Sequence, residues 1–319
     1  MRNDFSALTL CEAIDYAQLS FVKGGRGFVI GQGVTSPWYV GGSTKSLLDL
    51  DEEVFDTPIS ESAVTGMALG AAFSGKNVVV VHPRMDFMWC CMDPIVNGLS
   101  TFHSNFGDFD PKFGSVVIRA IINRGKGQGA QHSQSLNAVF AHIPGLSVFF
   151  PATPQNMIAC YKEETKNLAK ILIEDRSLYG FCNELELDKE SSDINASVGI
   201  NPNSDTLVIG TAPVLKYLNE FYKHDQERCP NFIILENLKV KLEEYLAGVG
   251  TVLQVFIVDE CWGISGLSRE WYFQLNEIKK FLNCRKVVIT LEDQHTTSLP
   301  SEDDKVFLRE RLGAQLGVV

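Results

Sequence analysis

Apolar residues of this chain fall into short, mainly continuous runs and into longer stretches with helical spacing. Residues 77–82, 115–122 and 170–174 are runs of the first kind, which is typical of strands covered on both faces of a parallel sheet. Residues 6–23 and 153–166 instead predict helices. Strands that alternate with helices in this way favour an α/β protein built on parallel sheets.

A polar segment divides this pattern into two parts. Residues 183–204 are rich in Glu, Asp, Ser and Asn and lack apolar periodicity, so we expect a linker over 186–204. The α/β pattern then starts again, with strands at 206–210, 231–235, 252–258 and 287–291 and helices at 213–222 and 241–247. The sequence therefore predicts two α/β domains, over residues 1–185 and 205–319.

Length and charge limit the classes of function. At 319 residues the chain is long enough for two ordinary domains. The formal net charge of −11, with scattered basic residues, disfavours a nucleic-acid partner, since phosphate backbones are bound by clustered Lys and Arg. The sequence has no uncharged apolar run of about 18 residues, so we expect no membrane span.

The cysteines and the first residues bear on the cellular compartment. Eight cysteines occur without CxxC spacing or a Cys/His cluster, so neither a zinc site nor a disulfide framework is indicated. Residues 1–11 lack the basic and apolar regions of a signal peptide. We therefore expect a reduced, cytoplasmic protein.

The segment 56–61, Asp-Thr-Pro-Ile-Ser-Glu, carries the strongest chemical pattern of the chain. Ser60 is a candidate N-cap for a helix that Glu61 would open. In this helix, Gly66 and Gly70 would let a neighbouring backbone or ring come close. An isolated acid in a first helical turn commonly only complements the helix dipole. The surrounding residues favour instead a functional carboxylate beside a tightly packed wall.

Two further motifs follow along the chain. Phe87 lies 26 residues after Glu61. Residues 123–134 read Asn-Arg-Gly-Lys-Gly-Gln-Gly-Ala-Gln-His-Ser-Gln, but Gly127 stands where a Walker A loop needs Ser or Thr, so this is not a phosphate loop of that kind. His132 is a candidate proton carrier, because an imidazole exchanges its proton near neutral pH.

These motifs resemble one known family. The residues that carry the resemblance are Pro58 to Gly75, Phe87, the run 93–97 (Asp-Pro-Ile-Val-Asn), Arg124-Gly125 and Gln131 to Gln134. Together they resemble the β subunit of the thiamine-diphosphate-dependent 2-oxo acid dehydrogenase E1 component, over nearly the whole chain. The resemblance implies a transketolase-like pyrimidine-binding domain followed by a transketolase C-terminal-like domain.

The resemblance also implies roles for four residues. Glu61 would hold the aminopyrimidine of thiamine diphosphate and exchange a proton at its ring nitrogen, which prepares the cofactor to attack a 2-oxo acid. Ile59 and Phe87 would line the pyrimidine ring and give the carboxyl an apolar surround. His132 would lie at the mouth of the pocket and neutralise a substrate carboxylate or shuttle a proton.

The family context predicts a partner subunit. Thiamine enzymes bind the diphosphate through Mg2+, held by a Gly-Asp-Gly motif with an Asn further along, whereas this chain has only Gly107-Asp108-Phe109. We therefore expect no metal ligand in this chain, and an α-type subunit that supplies the diphosphate and Mg2+ site in an α2β2 assembly. A lipoyl-bearing acyltransferase is a further partner that the resemblance implies.

Four positions depart from the family pattern and leave the acyl acceptor open. Gln32 stands in place of an acid and Cys90 in place of a Gln. Pro94 would kink a helix or make Asp93 its cap, and Lys166 stands where members hold a potassium ion with an Asp. One alternative is the C-terminal half of a split transketolase or an acyloin-type ligase. Another is a non-catalytic scaffold subunit, although such a subunit would have no chemical need for Glu61.

Overall fold

We analysed a computed structural model of the chain. It describes residues 5, 7–23, 27–35, 38–49, 53–107, 113–124, 128–163, 167–189, 192–261, 263–290 and 303–318. Among these residues, no helix has both the length and the apolar character needed to cross a bilayer.

The first part of the chain forms a six-stranded sheet in which every pair of neighbours is parallel. The strand order is β2-β1-β3-β4-β6-β5. In chain order the strands are β1 Gly27–Gly31, β2 Val54–Asp56, β3 Asn77–His82, β4 Val116–Ile122, β5 Ser147–Phe149 and β6 Ala169–Asp175. The prediction of buried strands is confirmed, since β4 and β6 are buried along their whole length.

Five helices belong to this sheet: α1 Leu10–Val22, α2 Glu61–Phe73, α3 Phe102–Phe106, α4 Asn137–His142 and α5 Pro154–Lys162. A capping box fixes the start of α1, because Thr9 Oγ1 accepts a hydrogen bond from the Glu12 backbone N–H while the Glu12 carboxylate accepts one from the Thr9 N–H. The end of α1 and the start of α5 lie within one residue of their predicted positions, whereas α1 begins four residues later than predicted, after its Thr9 cap.

The second part forms a five-stranded sheet in the order β11-β10-β8-β9-β7. Its elements are β7 Ala196–Gly199, β8 Thr206–Gly210, α6 Ala212–Tyr222, β9 Asn231–Leu235, β10 Gln254–Val258, α7 Leu267–Glu277, β11 Arg285–Ile289 and α8 Asp303–Leu316. The predicted strands over 206–210 and 231–235 are confirmed. The two-domain α/β class is confirmed as well.

The segment predicted to be a linker contains a strand. Residues 196–199 form β7, which pairs antiparallel with β9, so the second sheet is mixed rather than wholly parallel. This strand was missed because Ala-Ser-Val-Gly contains a single β-branched residue, and the edge of β9 decides its conformation. The domain boundaries at 185 and 205 stay predictions.

Two predicted helical segments have tighter or wider turns than an α-helix. The helix expected near 241–247 is a short 3-10 helix, Leu242–Tyr245. Pro94–Leu99 is a π-helix in which the Ser100 N–H donates to the Ile95 carbonyl at 2.9 Å. Asp93 does not cap this helix with its side chain, contrary to one of our expectations, and accepts a hydrogen bond from Asn97 Nδ2 at 2.7 Å.

A buried ion pair joins two central strands of the first sheet. Arg119 of β4 and Glu174 of β6 form two hydrogen bonds, at 2.6 Å between Nε and Oε1 and 2.8 Å between Nη2 and Oε2. The same guanidinium donates to Gln18 Oε1 of α1 at 3.0 Å and to Ser43 Oγ at 2.6 Å. Tyr179 Oη donates to Glu174 Oε2 at 2.7 Å. Both charges are fully buried and fully hydrogen-bonded, which is the arrangement that a low-dielectric interior requires.

Candidate functional site

The candidate residues lie at one edge of the first sheet. In parallel strands, the loops after the carboxyl ends meet at the same edge, and ligands of open α/β sheets bind there. Each of five such loops carries one polar or aromatic side chain of interest: Gln32 after β1, Glu61 after β2, Phe87 after β3, His132 after β4 and Arg176 after β6.

Glu61 is the first residue of α2 and is only 9% exposed. The predicted cap position is correct, but the Ser60 side chain makes no capping hydrogen bond. Gln32 Nε2 donates to Glu61 Oε1 at 3.4 Å. Within the described residues this is the one hydrogen bond to the Glu61 carboxylate, so the group has free acceptor capacity for a ligand.

The turn that carries Gln32 is held by Asp56. The Asp56 carboxylate accepts hydrogen bonds from the backbone N–H groups of Val34 at 2.7 Å and Thr35 at 3.1 Å. At the start of the turn, a Cβ on Gly31 would lie 2.5 Å from the Val81 carbonyl oxygen, so only glycine fits between the neighbouring strands. Asp56 and Gly31 therefore fix the position from which Gln32 reaches Glu61.

The small-residue wall predicted on α2 is not covered by the residues that the structure describes. A Cβ built on Gly66 or Gly70 would meet no described atom within 4 Å. The close approach that we expected at these glycines is therefore absent within the described part of the chain. The opposite side of α2 is packed, with Val64, Thr65, Ala68 and Ala72 buried.

One turn beyond Glu61, a buried polar cluster lies under the carboxylate. Thr65 Oγ1 is 3.1 Å from His82 Nε2, and Cys91 Sγ is 3.7 Å from the same nitrogen. Burial lowers the pKa of His82 to about 4, so the imidazole is neutral at pH 7. Burial likewise raises the pKa of the Cys91 thiol to about 12, with the charge of Glu61 as a smaller contribution. Sequence reasoning missed this cluster.

Phe87 and His132 lie in contact at this edge of the sheet. Phe87 lies in the 3-10 helix Met85–Cys91, which packs between α2 and the short turn Ala130–His132. The two rings meet edge to face with 5.5 Å between their centroids. His132 Nδ1 is buried and has no hydrogen-bond partner among the described residues, which leaves one polar atom of the site free for a ligand.

Asp86 is a site residue that the sequence analysis did not find. Its Oδ1 accepts hydrogen bonds from Gln134 Nε2 at 2.8 Å and from the Gln134 backbone N–H at 3.3 Å, while Oδ2 is buried and has no hydrogen-bond partner among the residues described. Burial raises the pKa of this carboxyl, although the Gln134 bonds and His132 act in the opposite direction. The only available signal was the position of Asp86 beside Phe87.

Three other predicted positions have simpler outcomes. Ile59 is 81% exposed and therefore does not belong to the core of the described chain, so its contact with a cofactor stays a prediction. Cys90 is exposed, and all eight cysteines are free thiols. Lys166 lies outside the described residues.

Arg124 ties the His132 segment to the second domain. Its Nε donates to the Ser133 carbonyl at 3.3 Å, and its Nη1 donates to Glu260 Oε2 at 2.9 Å and lies 3.6 Å from Asp175 Oδ2. Burial lowers the pKa of Arg124, but the Glu260 and Asp175 carboxylates outweigh it and raise that pKa above its ordinary value. The predicted Arg-Gly motif thus begins with a structural ion pair.

The described residues fit one half of thiamine diphosphate. Glu61 offers a buried carboxylate with free acceptor capacity, Phe87 an aromatic face and His132 an unpaired ring nitrogen. These groups suit an aminopyrimidine, which presents a ring nitrogen and an aromatic face. Among the same residues, no group of three or more His, Cys, Asp or Glu side chains is arranged to hold a metal ion.

The fold and this site define the class of protein as a two-domain α/β protein of the transketolase type. A solved structure described as "Split gene transketolase, inactive beta4 tetramer" has a TM-score of 0.65 and covers 98% of this chain and 99% of that chain. At 18% identity, the likeness shows the fold alone.

Sequence comparison then gives the family. The profile "Transketolase, pyrimidine binding domain" matches residues 22–180. The pyruvate dehydrogenase E1 component subunit beta of Porphyra purpurea is 29% identical over 259 residues, which are 78% of this chain and 76% of that protein. The acetoin:2,6-dichlorophenolindophenol oxidoreductase subunit beta of Cupriavidus necator is 38% identical over 135 residues, which are 42% of this chain and 39% of that protein. Residues 22–180 therefore belong to the transketolase pyrimidine-binding domain family, and the chain is similar to the β subunits of E1-type, thiamine-diphosphate-dependent enzymes.

Proposed function

We propose that this chain is the β subunit of a thiamine-diphosphate-dependent enzyme that decarboxylates a 2-oxo acid and transfers the resulting acyl or aldehyde unit. The observation that carries the proposal is the Glu61 carboxylate, which is buried at the start of α2 and has free acceptor capacity. A carboxylate that only complements the helix dipole has no need to be withdrawn from water, because the dipole effect operates at exposed sites.

Each residue of the site has a distinct task in this proposal. Glu61 binds and exchanges a proton at the pyrimidine ring nitrogen, and Gln32 fixes the orientation of the carboxylate. Phe87 contacts the flat face of the ring, and Ile59 covers its edge. His132 neutralises the substrate carboxylate or delivers a proton to the departing product. The cofactor, when bound, supplies the nucleophilic carbon that attacks the keto group.

The proposal includes a second, α-type subunit that holds the diphosphate and Mg2+. It is supported by the sequence, which lacks the Gly-Asp-Gly context for these groups. It is also supported by the exposed apolar side chains near the site, Ile59 at 81% and Trp38 at 80%, since exposed apolar groups beside a site commonly mark an interface.

Native mass spectrometry of the protein from its own source, with thiamine diphosphate and Mg2+ present, tests the proposal. We expect two copies of this chain, two copies of a second subunit and two cofactors. Full cofactor affinity in the isolated chain would contradict a shared site. A lone chain that fails to bind cofactor even after reconstitution with its co-purifying proteins would favour the scaffold alternative.

A second candidate function is a biosynthetic relative, either half of a split transketolase or an acyloin-type ligase. The observation that favours it is the Gln32–Glu61 hydrogen bond, because an amide replaces the acid of the family and cannot relay a proton as a carboxylate does. Acylation of a lipoyl domain, compared with condensation onto an aldehyde or ketose, separates the two functions when both are assayed on the same complex.

A further inference from the structure

Two arginines enter one small cavity at the carboxyl edge of the first sheet. The cavity has a volume of about 220 Å³, below the size of a typical site for a drug-sized ligand. Arg84 follows β3 and Arg176 follows β6. The cavity is lined by these two side chains together with Gln32, Gly33, Trp38 and Gly41, among others.

Neutral amides position the two guanidinium groups. Arg84 Nε donates to Gln128 Oε1 at 3.1 Å, and Arg176 Nη1 donates to Asn123 Oδ1 at 2.7 Å. Asn123 Nδ2 in turn donates to Gln128 Oε1 at 2.6 Å, which links the two arginines through one amide chain. The amides orient both side chains but neutralise neither charge.

The positive charge of the cavity is not compensated by the described residues. Within that part of the chain, neither Arg84 nor Arg176 forms an ion pair with a carboxylate. Burial and then the charge of Arg176 lower the pKa of Arg84, and Asp86 offsets this only in part. Arg176 Nε is buried and has no hydrogen-bond partner in the described part of the chain. The two neighbouring guanidinium groups therefore lack a compensating negative charge, and one of their N–H donors lacks an acceptor.

The loop that lines one side of the cavity has an unusual backbone. Tyr39 and Val40 both have positive φ angles, 40° and 46°, which are rare for residues with large side chains. At Gly41, with φ of 74°, a Cβ would lie 2.5 Å from Arg176 Nη2. The loop is thus shaped to lie close against the guanidinium, and such local strain is typical of ligand sites.

We propose that this cavity binds a small oxyanion, the phosphate or carboxylate group of a small molecule, between Arg84 and Arg176. A guanidinium presents a planar set of donors that matches both oxyanions, and the charge-assisted bonds are stronger than neutral ones. Gln32 lines the cavity and also donates to Glu61, so the bound anion lies one side chain away from the carboxylate of the site. Binding itself does not depend on the proposed function.

Calorimetric titration of the full chain and of its complex with inorganic phosphate, and separately with pyruvate, tests this proposal. Sodium chloride at matched ionic strength controls for screening. We expect saturable binding of at least one oxyanion, and at least tenfold weaker binding in Arg84→Gln and in Arg176→Gln. The matched control is Arg228→Gln, which removes an exposed guanidinium from the second domain and should bind as the unmodified chain does.

Two further variants keep the result interpretable. Arg84→Lys retains the charge and should recover part of the affinity, even if Arg176→Gln fails to fold. The bound anion should also change the intrinsic fluorescence of Trp38, which lines the cavity. Trp38→Phe should abolish this fluorescence change while calorimetric binding persists, which locates the ligand at this cavity. Equal affinity in Arg84→Gln, or no saturable binding of either probe, would overturn the proposal. Binding to the isolated chain that disappears in the complex would also overturn it, because a carboxylate of the partner would then fill the cavity.

Discussion

Gln32 Nε2 donates to Glu61 Oε1 across 3.4 Å and thereby joins the turn after β1 to the first residue of α2. The bond is long for an N–H···O contact, so it orients the carboxylate without saturating it. Glu61 remains able to accept from a ligand on its other lone pairs.

Glu61→Gln and Glu61→Ala should abolish turnover of the assembled enzyme while the fold is kept. Loss of a positioned proton carrier costs roughly 100-fold to 10,000-fold in rate. Steady-state activity, together with circular dichroism and the melting temperature, measures both parts of this prediction. Glu277→Gln, at an exposed position at the end of α7, is the control and should keep full activity. Near-native activity in Glu61→Gln would reduce Glu61 to a helix-start acid.

Gln32→Glu should shift the pH–rate profile of the reaction. The new carboxylate would lie against Glu61, and two carboxylates at this distance cannot both ionise freely, so the pair takes up a proton at higher pH. We expect the acid limb of the pH–rate profile to shift upward by about one pH unit, and Gln32→Leu to leave the limb in place while lowering the rate about threefold to tenfold. Identical pH–rate profiles for the unmodified protein, Gln32→Glu and Gln32→Leu would show that Gln32 does not act on Glu61.

The fold was predictable where the sequence pattern is local. The run Asn77–His82 contains four consecutive valines, and β3 has the predicted limits because a continuous β-branched run suits a strand that is covered on both faces of a parallel sheet. β7 was not predictable in this way, since its conformation depends on pairing with β9, which is distant in sequence. The π-helix that begins at Pro94 likewise depends on tertiary packing rather than on local preference.

The site was predictable in its residues but not in their surroundings. Glu61, Phe87 and His132 could be named from motifs, and parallel pairing of β3 with β4 explains why the loops that carry Phe87 and His132 meet. Arg176 and Asp86 were not found, because no sequence pattern states which way a side chain after a strand points. Contacts such as Arg176 with Gly41 arise only when the whole edge of the sheet is assembled.

His132→Asn should lower kcat/KM by about 100-fold, since an amide cannot carry a proton. Asp86→Asn should have a smaller effect on rate, because Asp86 bonds Gln134 rather than the reacting groups in this structure. Activity of the reconstituted complex gives both numbers, with the exposed His224→Asn as the control. If His132→Asn kept its activity while Asp86→Asn lost it, the proton carrier of the site would be the carboxyl and not the imidazole.

Arg124→Met should destabilise the chain by about 3 to 5 kcal/mol, because it removes a buried cation that lies 2.9 Å from Glu260 Oε2 and 3.6 Å from Asp175 Oδ2. Urea unfolding monitored by circular dichroism measures the change. Arg228→Met, at an exposed ion pair, should cost no more than about 1 kcal/mol.

Removing the Glu260 charge as well should restore part of the stability that Arg124→Met loses. The double variant Arg124→Met with Glu260→Gln should be more stable than Arg124→Met, since the two changes act on one contact and are not additive. Additive losses would show that Arg124 stabilises the chain through packing of its aliphatic stem rather than through its charge.

Glu236 should make the stability of the chain fall as pH rises from about 5 to 8. Burial raises the pKa of Glu236 from 4.5 to about 7, despite hydrogen bonds from Ser197 Oγ, the Ala152 N–H and Asn156 Nδ2. The folded chain therefore holds a proton that the unfolded chain releases, so the stabilisation is complete below pH 4.5 and is lost through about pH 7. The difference amounts to roughly 3 kcal/mol. Glu236→Gln cannot titrate, so its urea midpoint should lack this slope; equal slopes in both proteins would assign the effect to other groups.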